Sequence, residues 1–529
     1  MALLVTAPVE PGTTYGRRWA ALVVLCLSVL IGVMTNTSLI VAAPDMTVDL
    51  GLSSQQLQWI IDAYTIPYAA LMLLMGSIGD KYSRRGMLLT GLALFAAGAV
   101  LGSLVDTAAW VVAARAVMGT AASMIMPATL SLLVATFPKR ERAVAITIWT
   151  ATTGLAIAVG PLVAGWLLRD HGWASTFLIN VPIALVSMVA ALALVPPSKA
   201  HTTQRLDLPG GALSVIAVAS LVYMIIEGPR HGWHASAVIA GVIAAITAAA
   251  FVACELRHPN PMLDVRKFRS RAFAGANLAV MLFFLAAFGS IYYVTQHLQF
   301  VLGYDALSTG VRLLPLAGAV FAGSAITGVL TPRLGLRAMV VAGMAVGTLA
   351  LVILTRVDSE SGYGAFVWPL ILLGLAIGLS VSPATDTIMD AFPERLLGVG
   401  GAVNDTSIEL GGTLGIAIFG SVLASNYRDQ IAPHIAGGLP AAAADTAKDS
   451  IGGALIVAEK IGHAGMPEQA AQLVSAADAA FAHAVSHTSL IASIMLAVGT
   501  VAVAVLLPGR RRPAADAMPD VAKETVSVG

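Results

Sequence analysis

The sequence predicts an all-α polytopic membrane protein, and three observations support this fold class. Hydrophobic residues make up 57% of the 529-residue chain and charged residues only 11%, whereas a soluble domain carries about 25% charged residues. Many apolar runs reach about 18 residues or more, which is enough for a helix to cross the hydrocarbon core. The alternating segments of about ten residues that build a membrane β-barrel do not occur. Helices are then the way in which the backbone is satisfied in lipid.

A dense group of charges between two apolar runs fixes the orientation of the chain. The stretch 76–86, which reads GSIGDKYSRRG, carries Asp80, Lys81, Arg84 and Arg85. Because so much charge cannot lie in hydrocarbon, we expect a loop of about ten residues at a membrane face. Lys and Arg near span ends resist translocation, so this face is cytoplasmic.

Counting apolar runs outward from this stretch gives fourteen spans, and an even number places both termini in the cytoplasm. Most of the 30 Lys and Arg residues then fall in cytoplasmic segments, as the positive-inside rule requires. One span more or fewer would invert this distribution downstream. The predicted spans are 18–43, 57–79, 87–105, 109–137, 142–168, 174–196, 208–227, 235–255, 272–301, 308–331, 335–356, 363–390, 398–426 and 485–507.

The segments outside the spans carry less information. The outer segment 427–484 is rich in Ala with interspersed charges, which predicts short amphipathic helices forming a surface cap or hairpin. The tail after Arg512 is polar, and we expect it to be disordered. Cys26 and Cys254 both fall in predicted spans, as small buried hydrophobes do. A net charge of +1 gives no reason to expect nucleic-acid binding.

The charged stretch matches a known pattern. It resembles the cytoplasmic signature between the second and third spans of the major facilitator superfamily. The glycines allow close helix approach, and the Asp80 carboxylate can pair with basic neighbours and an adjacent helix N-terminus. The resemblance implies a conformational latch between two halves that holds the outward-open state. The pattern G-x-x-G-D-x-x-x-R-R-G is supplied by Gly76, Gly79, Asp80, Arg84, Arg85 and Gly86.

The fourth predicted span contains Arg115. An arginine inside a span costs about 2.5 kcal/mol or more, so it needs a carboxylate, a polar backbone group or water as partner. Arg115 and Gly119 resemble the superfamily's R-x-x-x-G signature, which implies a role in proton coupling. A purely structural pairing role is the alternative.

The fifth span reads GLAIAVGPLVAGW over 154–166. Its small residues and proline predict a kinked helix that packs closely on a partner. Gly154, Gly160, Pro161 and Gly165 resemble the antiporter signature of the superfamily, which implies export rather than import. Ala replaces the first glycine of the usual final pair.

Three further stretches narrow the resemblance to one branch. The segments 59–64 (WIIDAY), 177–182 (FLINVP) and 302–304 (LGY) look like those of the fourteen-span drug/proton antiporters, and most like the QacA-type exporters of lipophilic cations. The resemblance covers essentially all fourteen spans. It implies two six-helix bundles related as pseudo-repeats, with the substrate site near the midplane between them. The predicted domains are a cytoplasmic N-terminus 1–17, an N-terminal bundle 18–196, a linker with two extra spans 197–271, a C-terminal bundle 272–507 and a cytoplasmic tail 508–529.

Acids within the spans are the candidate proton carriers. Asp405 and Glu409 are four residues apart on span thirteen, so they share one helical face about 6 Å apart along the axis. Two such carboxylates in a low-dielectric cavity cannot easily both ionise, a property suited to exchanging a proton for a cation. A hydrogen-bonded structural pair is the alternative. The predicted proton-coupling residues are Asp62, Arg115, Asp405 and Glu409.

One position departs from the branch. The lipophilic-cation exporters carry an aspartate in the first span two residues before a threonine, but here Thr35 occupies that position. The chain must then rely on its other acids, or its substrate is less cationic. Asn36 can hydrogen-bond either a ligand or a neighbouring helix. Aromatic residues can line a cation-tolerant pocket, and the predicted cavity residues are Asn36, Trp59, Tyr64, Trp149, Asp405 and Glu409.

These features predict a proton-coupled multidrug efflux antiporter that exports hydrophobic, cationic compounds across a bacterial cytoplasmic membrane. We expect a monomer without cofactor, metal, nucleic-acid partner or enzymatic activity, driven by the proton gradient, because no Walker A loop indicates ATP use. The alternatives are an exporter of one endogenous product, such as an antibiotic, metabolite or lipid, and a sensor or scaffold that no longer transports.

Overall fold

A computed structural model describes residues 15–52, 54–198, 206–230, 233–259, 261–435 and 440–508. Within these ranges fourteen helices are long and apolar enough to cross a membrane, which confirms the predicted number of spans. The predictions for residues 1–14, and for the tail from 509 to 529, lie outside the described residues.

The N-terminal bundle consists of six spans. The sixth span is divided at Ile179 into a short and a longer helix. The helices are α1 (Arg18–Leu50), α2 (Ser54–Lys81), α3 (Arg84–Leu104), α4 (Ala108–Thr136), α5 (Lys139–Leu167), α6 (Ala174–Leu178) and α7 (Asn180–Leu194).

The linker and the C-terminal bundle contain the remaining helices. The span α10 ends in one π-helical turn, His297–Val301, and a short 3₁₀ helix, Val265–Arg269, precedes it. The helices are α8 (Leu208–Arg230), α9 (Ala235–Arg257), α10 (Arg271–Gln296), α11 (Ala306–Leu334), α12 (Leu336–Leu354), α13 (Gly364–Asp390), α14 (Leu397–Ile435), α15 (Ala441–Asp449), α16 (Ile451–His463) and α17 (Pro467–Leu506).

Two hydrophobic cores correspond to the two bundles. One consists mainly of buried residues between 21 and 195, and the other mainly of buried residues between 263 and 507. Ala151 of α5 belongs to the second core, whereas Leu397 and Ala402 of α14 belong to the first. These exceptions mark where the bundles touch. The extra hairpin α8–α9 lies beside this contact, because α8 packs on both α2 and α14 while α9 packs on α8.

The segment 427–484 is helical rather than a loop. Both α14 and α17 continue beyond the predicted ends of their spans at 426 and 485, and α15 and α16 lie between them. The Tyr427 hydroxyl donates a hydrogen bond to the Ala447 carbonyl at 3.1 Å, and the Tyr427 ring contacts Phe481 edge-on. The cap therefore has an apolar interior continuous with the C-terminal bundle.

The predicted loop at 76–86 is wrong in its extent. Helix α2 continues to Lys81 and α3 begins at Arg84, so only Tyr82 and Ser83 lie outside helix. The Ser83 hydroxyl caps α3 by accepting a hydrogen bond from the Gly86 amide at 2.9 Å. The charged side chains here find protein partners rather than water, and the helices can therefore extend through the charged stretch.

Candidate functional site

The Asp80 carboxylate joins three helices at the cytoplasmic end. Its Oδ1 accepts a hydrogen bond from Arg84 Nε at 2.7 Å, and its Oδ2 accepts one from the Val399 amide at 3.0 Å. Asp80 and Arg84 are each 3% exposed. Val399 lies in the first turn of α14, where a helix N-terminus favours a negative charge. Asp80 therefore fastens the C-terminal bundle to the N-terminal one.

The glycines beside this ion pair allow the backbones to meet. A side chain at Gly76 would collide with the Gly398 carbonyl, and one at Gly398 would collide with the Gly76 carbonyl and Asp80. Arg84 also donates to the Glu394 carbonyl, across the bundle boundary. This face of the signature therefore has no room for even a methyl group.

The remaining signature residues act within the N-terminal half. Arg85 donates to the Leu192 carbonyl at 2.6 Å, and a β-carbon at Gly79 would lie 3.5 Å from Met87. Gly86 is the residue capped by Ser83. The six signature residues thus divide into three that reach the other bundle and three that order the α2–α3 turn.

Two cross-bundle contacts on α5 were not predicted. Arg142 forms a salt bridge with Asp390 of α13 at 3.0 Å, and the Thr147 and Ser382 hydroxyls are 2.9 Å apart. The only sequence signal was opposite charge near the cytoplasmic ends of two distant spans. With the Asp80 contacts, these pairs close the cytoplasmic end between the bundles.

The antiporter signature on α5 faces two helices. A β-carbon at Gly160 would overlap Thr37 of α1, whereas one at Gly154 would lie 3.5 Å from Val320 of α11. A β-carbon at Gly165 would lie 3.4 Å from Leu307 of α11. Pro161 lies inside the continuous helix. Glycine spacing therefore lets α5 pack between α1 of its own bundle and α11 of the other.

This geometry predicts unequal effects of two alanine substitutions. Gly160→Ala is expected to reduce folded protein and transport, because its methyl group overlaps Thr37 Oγ1 and overpacking costs about 1–3 kcal/mol. Gly154→Ala, the matched control in the same signature, fits at ordinary contact distance and should retain both. Thermal melting and efflux assays of the two purified variants check this; equal behaviour would contradict the assigned packing.

The outer end of the same seam contains a cross-bundle contact. Asp305 caps α11, because its Oδ1 accepts a hydrogen bond from the Ser308 amide at 2.6 Å. Hydrogen bonds from Ser308 hold the pKa of Asp305 below its usual value, with a smaller contribution from the positive charge of Arg169 in the other bundle. The two bundles therefore attract each other at this outer corner as well.

Arg115 is fully buried and joins α4 to α1 and α2. Its Nη2 donates to Asn36 Oδ1 at 3.0 Å and its Nε donates to the Ile60 carbonyl at 3.1 Å. The guanidinium carbon lies 4.3 Å from the Tyr64 ring centroid, a cation–π distance. Nη1 is buried with no hydrogen-bond partner among the described residues. The partners that the sequence demanded are an amide, a carbonyl and an aromatic face.

Tyr64 links this arginine to the boundary between bundles. Its hydroxyl donates to the Gly32 carbonyl at 2.7 Å, and its backbone fits against Gly119, where a side chain would collide with it. Its ring lies 5.7 Å from that of Tyr68, one turn along α2. Asp62, on the same helix, is 5% exposed.

Asp405 and Glu409 of α14 face this tyrosine pair. Asp405 is 4% exposed, and its Oδ1 accepts a hydrogen bond from the Asn404 side chain at 3.1 Å. Its Oδ2 is buried and has no hydrogen-bond partner among the described residues. Glu409 is half-buried and lies within electrostatic range of the Tyr64 and Tyr68 phenols. The acids, the tyrosines and Arg115 therefore form one polar group at the bundle boundary.

Thr35 fills its position with a helix–helix hydrogen bond. Its hydroxyl donates to Asn180 Oδ1 at 2.7 Å, and the Asn180 amide donates to the Thr176 carbonyl at 2.9 Å. Thr35 is 4% exposed. The residue that replaces the expected aspartate thus ties α1 to the sixth span, as Asn36 ties α1 to α4.

Two predicted cavity residues lie elsewhere. Trp59 is 43% exposed, and its ring is 6.4 Å from Tyr223 of the extra hairpin. Trp149 is buried within the N-terminal bundle, where its Nε1 donates to Thr129 at 3.1 Å. The described contacts do not join either tryptophan to the α14 acids.

The cavities beside these groups are small. One of about 150 Å³ is lined by Gly76, Arg84 and Gly398, and another of about 150 Å³ by Thr35 and Arg115. Drug-sized ligands occupy about 300–1,000 Å³. This conformation is therefore closed around the polar group, and a ligand of that size needs the bundles to move apart.

Comparison with known proteins agrees with this architecture. Two solved structures share the fold: the human organic anion transporter MFSD10, with a TM-score of 0.57 at 13% identity, covering 90% of this chain and 99% of that one, and an inward-facing bacterial homologue of the human lysosomal transporter Spinster, with a TM-score of 0.57 at 16% identity, covering 95% and 100%.

Sequence relatives are closer. The multidrug efflux pump LfrA of Mycolicibacterium smegmatis is 33% identical over 91% of this chain and 94% of its own length. The methyl viologen resistance protein SmvA of Salmonella typhimurium is 33% identical over 91% and 97%. The tetracenomycin C resistance and export protein of Streptomyces glaucescens is 30% identical over 78% and 77%. The sequence profile of the Major Facilitator Superfamily matches residues 25–416, so this chain is a member of that superfamily and a relative of its drug-efflux pumps.

Proposed function

We propose that this protein is a multidrug efflux antiporter that exports hydrophobic, cationic compounds in exchange for protons. The observation that carries the proposal is the position of Asp405 and Glu409, which lie at the boundary between the bundles facing Tyr64 and Tyr68. An unpartnered, buried carboxylate oxygen needs a proton, a cation or a donor. Relatives named for multidrug efflux and methyl viologen resistance support the substrate class.

The exchange follows from the closed cytoplasmic end. Protons from the outer side would protonate Asp405 or Glu409 and remove the negative charge that holds a cationic substrate, which is then released outward. After the bundles rock, the acids would lose the proton to the cytoplasm and bind the next substrate. Arg115 and Asp62 belong to the same coupling group in this proposal, with Arg115 positioning α1 and α2 through Asn36, Ile60 and Tyr64.

The latch contacts supply the conformational control. Asp80, Arg84 and the Gly76–Gly398 contact would hold the cytoplasmic end closed while substrate leaves. They must separate before the site opens inward. Each contact joins backbone or side-chain groups of opposite bundles, so rigid-body rocking breaks them together.

The location and assembly are part of the same proposal. We place the chain in a bacterial cytoplasmic membrane as a monomer with both termini in the cytoplasm, in contact with lipid, small-molecule substrates and protons. The proton gradient replaces a cofactor, and the protein acts as a transporter rather than an enzyme.

A dedicated product exporter is the second candidate, and Thr35 favours it. Because Thr35 is engaged with Asn180, the first span offers no charge to a cationic drug. Relatives named for antibiotic export fit the same reading.

Ethidium efflux from proteoliposomes with an imposed pH gradient tests the proposal. Export should rise with the gradient and stop when a protonophore removes it. A well-folded protein that moves no ethidium at any gradient would favour the product exporter. Export that ignores the gradient would remove proton coupling.

A further inference from the structure

A second pair of buried acids lies at the cytoplasmic end of the extra hairpin α8–α9. Asp207 immediately precedes α8 and is 3% exposed, and Glu255 lies in the last turn of α9 and is 0% exposed. Each uses one oxygen in an ordinary way: Asp207 Oδ1 accepts from the Gly210 amide at 2.8 Å, and Glu255 Oε2 accepts from the Leu263 amide at 3.2 Å.

The other two oxygens face each other. Asp207 Oδ2 and Glu255 Oε1 are both buried and have no hydrogen-bond partner among the described residues. A β-carbon at Gly210 would lie 2.6 Å from the first and 2.7 Å from the second, so both converge on the same side of this glycine. Two ionised carboxylates in this position would repel each other with little water to screen them.

The surrounding charges do not balance two negative groups. His258 Nδ1 lies 3.9 Å from Asp207 Oδ2 and its side chain is 34% exposed, so it reaches the cytoplasmic surface. Asp264 points to Arg266 at 3.8 Å and is 41% exposed. Cys254 adds a neutral thiol, and α2 presents only the Leu74 side chain to Gly211. Within the described part of the chain, no Lys or Arg side chain forms an ion pair with either buried carboxyl.

We propose that Asp207 and Glu255 form a proton-binding site in which one proton bridges Oδ2 and Oε1, with His258 connecting the pair to the cytoplasm. A shared proton satisfies both orphaned oxygens and removes one charge. A hydrated Mg²⁺ or a Ca²⁺ ion with six to eight oxygen ligands would need space and ligands that this buried corner does not offer.

The site is placed to control the hairpin. Because α8 packs on both α2 and α14, the cytoplasmic anchor of the hairpin affects the boundary between the bundles. Loss of the proton in an alkaline cytoplasm would bring two negative charges together, loosen the start of α8 from the end of α9 and weaken this packing. The site is separate from Asp405 and Glu409, and its test needs no transport.

Hydrogen exchange of the purified full-length protein tests the proposal. After correction for the intrinsic exchange rate, protection of the amides at Gly210, Gly211 and Leu263 should fall between about pH 6 and about pH 9, by up to about tenfold per pH unit once the proton is released. Protection that stays constant over this range would overturn the shared proton.

Matched variants separate the pair from its neighbours. Glu255→Gln replaces the proton by an amide donor, so its protection should be independent of pH, whereas the control Asp264→Asn should follow the wild type. Asp207→Asn is the second variant, because asparagine also caps a helix well and donates across the pair. Wild-type pH dependence in either folded amide variant would overturn the proposal.

Discussion

Replacing Glu409 with glutamine is expected to abolish export driven by a pH gradient while the protein stays folded. Glutamine keeps the shape and hydrogen-bonding capacity of the protonated acid but cannot release a proton. One pH unit supplies about 1.4 kcal/mol per proton, which is about tenfold in substrate concentration. The variant should lose this factor for each proton that Glu409 carries.

The measurement is the steady-state ethidium ratio across proteoliposomes at several imposed gradients. Glu360→Gln is the control, because Glu360 is an exposed acid and its loss should leave the slope unchanged. Size-exclusion profiles and thermal melting of the variants establish folding. A Glu409→Gln protein with the wild-type slope would exclude Glu409 from coupling and leave Asp405, whose amide variant is then the next to measure.

The membrane topology was predictable because its causes are local. Each span announces itself by about twenty apolar residues, and the positive-inside rule orients all of them together. The sequence was less informative where a helix continues past the lipid. Both α14 and α17 extend into the outer cap, since their apolar faces find partners such as Phe481 outside the membrane.

The contacts of buried charges were less predictable because pairing is tertiary. The sequence required a partner for Arg115 but could not select Asn36 and Ile60. Residues 142 and 390 are 248 positions apart, and no local pattern joins them. The charged stretch at 76–86 was read as a solvated loop, although Asp80 and Arg84 are buried against α14.

The role of Thr35 also depends on its partner. Its departure from the branch was visible in the sequence, and its hydrogen bond to Asn180 was not. The structure turns an absence of charge into a helix–helix contact. The missing aspartate is therefore a built feature of α1 rather than an empty position, and a proton-coupled mechanism must operate from α14.

Gly398→Val is expected to prevent closure of the cytoplasmic end and reduce transport to background. The start of α14 touches α2 directly: a β-carbon at Gly398 would meet the Gly76 carbonyl and would lie 2.9 Å from the Asp80 carboxylate. A branched side chain must push α14 away, which breaks the hydrogen bond from the Val399 amide to Asp80. Overpacking alone costs about 1–3 kcal/mol, and the lost contact adds to it.

Gly318→Val is the matched control, because Gly318 is also a helical glycine at the other bundle's surface and a β-carbon there meets nothing within 4 Å. Cysteine accessibility distinguishes a conformational effect from unfolding: Ser131→Cys, beside the small cavity at Gly76 and Gly398, should react with a water-soluble maleimide faster in Gly398→Val than in Gly318→Val. Equal labelling, with transport retained in both, would show that the α2–α14 contact does not control opening. Faster labelling with lost transport would show that closure at this contact is a required step of the cycle.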